Sequence, residues 1–146
     1  MPLKKDQKAP AFSLPSTSGD QFVLADHTGE PVVLFFYPKN FTTVCTKEVC
    51  EFRNAFADFR DLKVKVFGIS QDTIASHLKF KKENALPFEL LSDAKGKIAK
   101  LYKATIPVIG MNRRVTYLLG EDHKIKGVFE DMFSAGKHVE AMLAKL

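Results

Sequence analysis

The chain has 146 residues, of which 45% are hydrophobic and 27% are charged. This length supplies one well-filled hydrophobic core and is short for two, so we predict a single domain over residues 1–146. The sequence contains no run of roughly 18 apolar residues, the minimum for a membrane-spanning helix, and we expect no membrane association. The net charge is +5, carried by 18 Lys and 4 Arg against 17 acidic residues.

The excess of positive charge raises the question of nucleic-acid binding. The densest basic run, KFKKE from Lys79 to Glu83, falls in a predicted helix and ends on an acidic residue. No cluster of arginines accompanies it, although such clusters are typical of nucleic-acid surfaces. We therefore expect a solvated lysine-rich face and no nucleic-acid partner, with a basic DNA-associated protein as the alternative.

The first ten residues, MPLKKDQKAP, lack the apolar core and cleavage site of a secretory signal, so we expect a cytoplasmic location. The chain has two cysteines. In a reducing compartment such a pair is more typical of redox, catalytic or metal-binding chemistry than of a permanent disulfide.

Predicted strands and helices alternate along the first half of the chain. AFSLP and QFVLA flank the turn STSGD and predict a β-hairpin. The uninterrupted apolar run PVVLFFY, Pro31 to Tyr37, predicts a strand that is buried on both faces. A helix follows after a loop and extends to about Asp61, because apolar residues from Val49 to Phe59 recur at spacings of three and four.

The second half continues the alternation. VKVFGIS predicts another buried strand, followed by a helix from Thr73 to Asn84, a short extended segment and a helix from Asp93 to Tyr102. VTYLL and KIKGVFE predict adjacent strands around the turn GEDH, and Ala135 to Leu146 predicts a terminal helix. This order predicts an α/β protein with a central mixed β-sheet flanked by helices, and it is compatible with a thioredoxin-like fold.

Both cysteines lie in the stretch YPKNFTTVCTKEVC. On an intact helix, the five-residue step from Cys45 to Cys50 rotates the side chains apart by about 140° and separates them by ~7.5 Å along the axis. A disulfide needs Cα atoms within about 7 Å and converging Cβ vectors. An intact helix therefore prevents a bond between these two cysteines.

The two cysteines differ in their expected environments. If the helix begins near Thr43, Cys45 lies in its first turn, where backbone N–H groups and the helix dipole stabilise a thiolate. Cys50 lies more than a turn deeper and lacks this stabilisation. We therefore expect Cys45 to attack and Cys50 to resolve, with two unreactive buried thiols as the alternative. A zinc site is disfavoured because no histidine has ligand-like spacing, and a thioredoxin-type dithiol has C-x2-C spacing, which this chain lacks.

The surrounding residues add a more specific motif. PKNFTTVC fits P-x3-T-x2-C with Pro38, Thr42 and Cys45, directly after the apolar strand. With Cys50 five residues further on, the chain resembles the peroxiredoxins, in particular the bacterioferritin-comigratory or Q-type subgroup. KAPAFSLPSTSGDQFVLAD, VFGISQD, FELLSD and RVTYLLGEDHKI follow the order and spacing of the family, so the resemblance covers most of the chain. Thr43 departs from the pattern, in which proline is common.

The resemblance implies a thioredoxin-like fold and a set of roles for named residues. In the family, a threonine and an arginine join the nucleophile around the peroxide. Thr42 matches the threonine, and Arg114 matches the arginine of the R-x-T-aromatic pattern better than its neighbour Arg113. Pro38 is expected to shape the loop and shield the thiolate, and Glu48 to help hold the arginine. A helix cap for Thr42 and a surface carboxylate for Glu48 are the alternatives.

The resemblance also implies a reaction, a thiol-dependent reduction of hydrogen peroxide or organic hydroperoxides. Cys45 becomes a sulfenic acid, Cys50 condenses with it after the first helical turns unwind, and thioredoxin or a similar dithiol regenerates the pair. No metal, haem or flavin cofactor is expected, and the chain is expected to be a monomer or weak homodimer. The competing hypotheses are a thiol–disulfide oxidoreductase acting on proteins and a redox sensor without turnover.

Overall fold

The computed structural model describes residues 2–130 and 135–146. Its strands are β1 (Ser13–Pro15), β2 (Gln21–Val23), β3 (Val32–Phe36), β4 (Lys65–Ser70), β5 (Glu89–Ser92), β6 (Val115–Leu119) and β7 (Ile125–Glu130). Its α-helices are α1 (Thr43–Asn54), α2 (Phe56–Asp61), α3 (Ile74–Glu83), α4 (Lys97–Leu101) and α5 (Ala135–Ala144). Within these two described ranges, no helix has the length and apolar character needed to cross a bilayer.

Five of the strands form one mixed sheet in the order β5-β4-β3-β6-β7, and β1 and β2 form a separate antiparallel hairpin. The central strand β3 pairs in parallel with β4 and antiparallel with β6. All of its residues are buried, as its uninterrupted apolar sequence predicts. The predicted α/β class, mixed sheet and N-terminal hairpin are confirmed.

The side chains of β3 alternate between two hydrophobic cores on opposite faces of the sheet. Leu34 and Phe36 belong to the core that also contains the N-terminal hairpin. Val33 and Phe35 belong to the other core, together with Cys45 and further buried residues of α1. The period of two along β3 therefore places α1 against the second face.

The helix after β3 ends earlier than the sequence predicts. We expected one helix to about Asp61, but an interruption at Ala55 separates α1 from α2. Phe59 remains fully buried in the core, whereas Phe56 packs against Phe88 with ring centroids 6.4 Å apart. Phe56 and Phe59 nevertheless pack against the same core, so the apolar stripe continues across the interruption.

The helix α4 begins at Lys97 and not at the predicted Asp93. Gly96 precedes it with a φ of +68°, a left-handed conformation that glycine adopts without steric cost. The Asp93 carboxylate accepts hydrogen bonds from the backbone N–H groups of Ile98 at 3.2 Å and Ala99 at 2.9 Å. The segment from Asp93 to Gly96 is therefore a turn that caps α4.

Gly68 of β4 gives a test of how tightly the core packs beneath α1. A Cβ atom at this position would lie 2.6 Å from Phe35 Cζ and 2.9 Å from a methyl group of Leu90. Phe35 stacks on Phe52 of α1 with ring centroids 4.4 Å apart, so its ring has little room to move. We predict that Gly68→Ala lowers the free energy of unfolding by about 1–3 kcal/mol through overpacking, measured by urea denaturation.

Gly127→Ala in β7 is the matched control. Its Cβ atom would meet the Cγ atom of Lys145 at 3.1 Å, and a flexible lysine side chain moves aside at little cost. Equal losses of stability in the two variants would contradict the explanation by overpacking beneath α1.

Candidate active site

The loop between β3 and α1 is held in place by Asn40. Its backbone N–H donates to the Asp72 carboxylate at 2.9 Å, and its Oδ1 accepts from the Tyr37 phenol at 2.6 Å. Its side-chain nitrogen lies 3.1 Å from Ser76 Oγ and 3.0 Å from His77 Nδ1. These contacts fix the point at which α1 begins relative to the sheet.

His77 takes part in this network as a neutral imidazole. Its Nε2 lies 3.0 Å from the Leu91 carbonyl oxygen, which only accepts, so Nε2 carries the proton. Nδ1 is then free to accept from the Asn40 side chain. Burial lowers the pKa of His77 below its ordinary value, although Asp72 and the Leu91 carbonyl act in the opposite direction. His77 therefore contributes to anchoring the loop as an uncharged group, beside the Asp72 carboxylate.

Cys45 lies in the first turn of α1, and only 1% of its surface is exposed. Arg114, immediately before β6, donates from Nη2 to Cys45 Sγ at 3.1 Å. A helix N-terminus and a guanidinium both stabilise a thiolate over a thiol. The structure thus gives Cys45 the two features that favour a nucleophilic cysteine.

Arg114 connects Cys45 to Glu48. Its Nη1 donates to Glu48 Oε1 at 2.7 Å, and the side chains of Arg114 and Glu48 are 3% and 0% exposed. Cys45 and Glu48 are three residues apart on α1 and therefore share one helix face. Burial opposes the charge on the guanidinium, but the charges of Glu48 and Cys45 raise the pKa of Arg114 above its ordinary value.

Glu48 has a second set of contacts, which the sequence does not predict. Its Oε2 lies 3.5 Å from Nδ1 of His138 in α5, and Thr116 Oγ1 lies 2.8 Å from the same nitrogen. All three residues are fully buried. Burial raises the pKa of Glu48 from 4.5 to about 7, and the charge and hydrogen bond of Arg114 offset this only in part. The surface alternative for Glu48 is thereby excluded.

Arg113 points away from this cluster. Its Nη1 donates to Glu130 Oε1 at 2.6 Å, and its Nη2 donates to the Lys103 carbonyl at 2.7 Å. Neighbouring residues of an extended segment point to opposite sides, which separates Arg113 from Arg114. Of these two arginines, the structure brings Arg114 to Cys45.

Thr42 and Pro38 lie in the segment that leads into α1. Thr42 occupies the N-cap position, but its hydroxyl makes no capping bond and donates to the Lys39 carbonyl at 3.0 Å. The alternative of a side-chain cap therefore does not describe Thr42. Pro38 follows Tyr37 directly and is partly buried.

Cys50 lies on the same helix in a different environment. It is partly exposed, and its thiol donates to Asn84 Oδ1 at 3.6 Å. Both cysteines are free thiols, and α1 runs without a break from Thr43 to Asn54. A disulfide between them consequently requires α1 to unwind.

The cavity of greatest interest outside the site does not involve Cys45 or Cys50. It has a volume of about 590 Å³ and lies between α2 and the strands β4 and β5, with Phe56, Val64 and Phe88 in its lining. Among the residues that the structure describes, no three His, Cys, Asp or Glu side chains are grouped as metal ligands would be.

Comparison with known proteins assigns the chain to a family. A model described as the AhpC/TSA family matches residues 6–128. The chain belongs to the AhpC/TSA family. It is 36% identical over 138 residues to the chloroplastic peroxiredoxin Q of Oryza sativa subsp. japonica, covering 94% of this chain and 64% of the rice protein. This chain therefore spans less than two thirds of that relative.

Solved structures agree with this assignment. The peroxidoxin BcpB of Mycobacterium tuberculosis superposes with a TM-score of 0.91 at 33% identity, covering 98% of this chain and 96% of that one. The bacterioferritin comigratory protein of Xanthomonas campestris, described with its alkyl peroxide reduction activity, gives a TM-score of 0.87 at 25% identity, with 97% and 96% covered. The resemblance to Q-type peroxiredoxins and the thioredoxin-like fold predicted from the sequence are confirmed.

The buried Glu48 carboxyl predicts a specific dependence of stability on pH. Its pKa is about 7 in the folded protein against an ordinary value of 4.5, so its stabilising contribution is fully present below pH 4.5 and is lost as the pH rises through 7. Glu48→Gln keeps an acceptor for Arg114 but does not titrate. We predict that the wild type loses more unfolding free energy than the variant between about pH 5 and pH 8.

Urea denaturation of both proteins at these two pH values, with the thiols kept reduced, measures this difference. The unfolding free energy of the variant, relative to that of the wild type, should be larger at the higher pH than at the lower pH. Stability profiles that run parallel for the two proteins would show that Glu48 does not titrate as described.

Proposed function

We propose that this chain is a thiol-dependent peroxidase of antioxidant defence that reduces hydrogen peroxide and organic hydroperoxides. The observation that carries the proposal is the 3.1 Å hydrogen bond from Arg114 to the buried sulfur of Cys45 at the start of α1. A cation and a helix N-terminus acting on one thiol favour the thiolate, which is the nucleophilic form. The alkyl peroxide reduction activity of the Xanthomonas campestris relative supports the same class of substrate.

In the first step, the Cys45 thiolate attacks one peroxide oxygen, so that an S–O bond forms and the O–O bond breaks. Cys45 is oxidised to a sulfenic acid, which keeps the attacked oxygen. The other peroxide oxygen takes up a proton and leaves as water or an alcohol. Arg114 and the backbone N–H groups of Val44 and Cys45 are the proposed donors to the leaving oxygen, joined by the Thr42 hydroxyl once it turns away from the Lys39 carbonyl. Pro38 shapes the loop beside the thiolate.

In the second step, the Cys50 thiol condenses with the sulfenic acid to form a disulfide and water. The Cys50 thiol makes a long hydrogen bond to Asn84 at 3.6 Å, and Cys50 is only partly buried where it packs against the core, so it can leave its place when α1 unwinds. A dithiol reductant, in our proposal thioredoxin, then reduces the disulfide by exchange and is itself oxidised to a disulfide.

The setting proposed for this cycle is the cytoplasm, where reductants keep thiols reduced. We propose a monomer or weak homodimer with no nucleic-acid partner. The basic run supports the last point, because Lys79 pairs with Glu83 at 4.0 Å and Lys81 pairs with Glu89. Lysines that already have acidic neighbours offer less charge to a phosphate backbone.

Substitution of each cysteine by serine tests the assigned roles. Cys45→Ser removes the nucleophile and should abolish peroxide turnover in the presence of thioredoxin and its reductase. Cys50→Ser should consume one equivalent of peroxide, stop, and accumulate an oxidised Cys45, because no disulfide can form. Coupled peroxide kinetics and mass spectrometry of the products measure both outcomes.

Wild-type protein is the reference for this pair of variants. After one equivalent of peroxide it should carry an intramolecular disulfide and lose two hydrogens in mass. Sustained turnover with thioredoxin by Cys50→Ser would exclude Cys50 as the resolving residue. Rapid disulfide exchange with protein substrates but slow reaction with peroxide would indicate a thiol–disulfide oxidoreductase instead.

A further inference from the structure

The site contains two buried groups that the proposed cycle leaves without a role, His138 of α5 and Thr116 of β6. His138 Nδ1 lies 3.5 Å from Glu48 Oε2 and 2.8 Å from Thr116 Oγ1. The imidazole ring also packs edge-on against Phe129 of β7, with ring centroids 4.7 Å apart. Side chains from two strands thus hold the imidazole against the carboxylate.

Cys45 and Glu48 share the two terminal nitrogens of the Arg114 guanidinium. Ionisation of Cys45 therefore places a second anion on a cation that already serves the Glu48 carboxylate. In a buried site with weak screening, two anions so close repel each other, and ionisation of one favours protonation of the other. The Glu48 side of the guanidinium is the place where a balancing proton would be held.

The second oxygen of Glu48 has the geometry to take part in holding that proton. Oε2 is buried and has no hydrogen-bond donor among the described residues, and a buried acceptor without a donor is unfavourable. The nearby His138 Nδ1 lies only slightly beyond hydrogen-bond distance. A proton on either group would turn this contact into a hydrogen bond.

Titratable groups face this carboxylate from several elements. Of the described residues, Arg114 approaches from the start of β6, Tyr37 from the end of β3 and His138 from α5, while Cys45 precedes it on α1. Burial raises the pKa of the Tyr37 phenol well above its ordinary value, so this group stays protonated. The Arg114 guanidinium stays charged. The Glu48 carboxyl, with a pKa of about 7, is the group next to His138 that titrates near neutral pH.

We propose that Glu48 and His138 together hold one proton while Cys45 is a thiolate, which makes His138 a positioning residue for the nucleophile. When Cys45 is a thiol, the pair is a carboxylate and a neutral imidazole. When Cys45 is a thiolate, Glu48 and His138 together hold one additional proton. The two states therefore have the same total charge. Of Cys45 and Glu48, the two groups described on its terminal nitrogens, Arg114 then serves one anion and not two. The inference rests on the proposed role of Cys45.

The test is the pH titration of the Cys45 thiolate, followed by its ultraviolet absorbance in a Cys50→Ser background, where Cys45 is the single thiol. His138→Gln keeps a hydrogen-bonding side chain but cannot take up a proton. It is expected to move the titration midpoint of the Cys45 thiol upward by about one pH unit. This shift corresponds to about tenfold less thiolate at pH values well below the midpoint. An unchanged midpoint would overturn the proposal.

Glu48→Gln supplies the decisive second background. It removes the anion through which His138 acts, so adding His138→Gln to it should leave the thiolate midpoint unchanged. A shift of the same size in both backgrounds would show that His138 acts on Cys45 by another route and would overturn the proposal.

His123→Asn is the matched control for the loss of a buried histidine. The His123 ring bonds the His27 carbonyl at 2.8 Å and belongs to the turn between β6 and β7. Its φ of +59° suits asparagine, so the substitution introduces little strain. The thiolate midpoint should be unchanged in this variant. A shift equal to that of His138→Gln would indicate a general loosening of the protein and would overturn the proposal.

A reciprocal measurement leaves His138 in place and so does not depend on the folding of its variants. The imidazole signals of His138 are followed by NMR against pH in Cys50→Ser and in Cys45→Ser/Cys50→Ser. Linkage requires that a thiolate at Cys45 keep the proton on the pair to higher pH. We expect the His138 transition at higher pH in the protein that contains Cys45, and identical transitions would contradict the proposal.

Neither titration uses peroxide, so the two proposals fail separately. A wild-type protein that does not consume peroxide contradicts the proposed function, whatever the titrations show. A protein that consumes peroxide normally but shows no coupling between Cys45 and His138 contradicts only the role of the proton-holding pair.

Discussion

A single guanidinium, that of Arg114, organises the site by holding a thiol and a carboxylate on its two terminal nitrogens. A cation that is only 3% exposed is stable only when it is hydrogen-bonded to anions. Cys45 and Glu48 meet this requirement because they share one face of α1. The position of α1 depends in turn on the loop that Asn40 fastens to Asp72 and His77.

The proposed cycle therefore requires two conformations of α1. The folded helix places Cys45 and Glu48 against Arg114, and the unwound segment lets Cys45 reach Cys50. Oxidation itself favours the change, because a sulfenic acid is neutral and Cys45 then no longer offers a negative charge to Arg114. Glu48 lies between the cysteines in the chain, so unwinding of this segment also withdraws the Glu48 carboxyl group from Arg114.

Much of the fold and part of the site follow from sequence patterns. The buried central strand, the alternation of strands and helices and the opposed faces of Cys45 and Cys50 are local properties of the chain, and periodicity alone predicts them. The interruption at Ala55 is not predicted, because no proline or glycine marks it in the sequence and the apolar spacing continues through it. The contact of His138 with Glu48 is also not predicted, because the two residues lie far apart in sequence and the spacing of histidines bears only on metal binding. The packing of His138 against α1 is a tertiary contact that no spacing reveals.

The interruption at Ala55 has a consequence for the rate at which the proposed cycle runs. Beyond it, Phe59 stays in the core and Phe56 stays on Phe88, so the unwinding segment has a fixed downstream boundary. The segment that must unwind in the proposed cycle then lies within α1, a helix of 12 residues. Solvent-facing positions such as Lys47 and Glu51 contribute to the barrier to unwinding through helix propensity without touching the reacting atoms. Evolution can therefore adjust the speed of opening independently of the chemistry at Cys45.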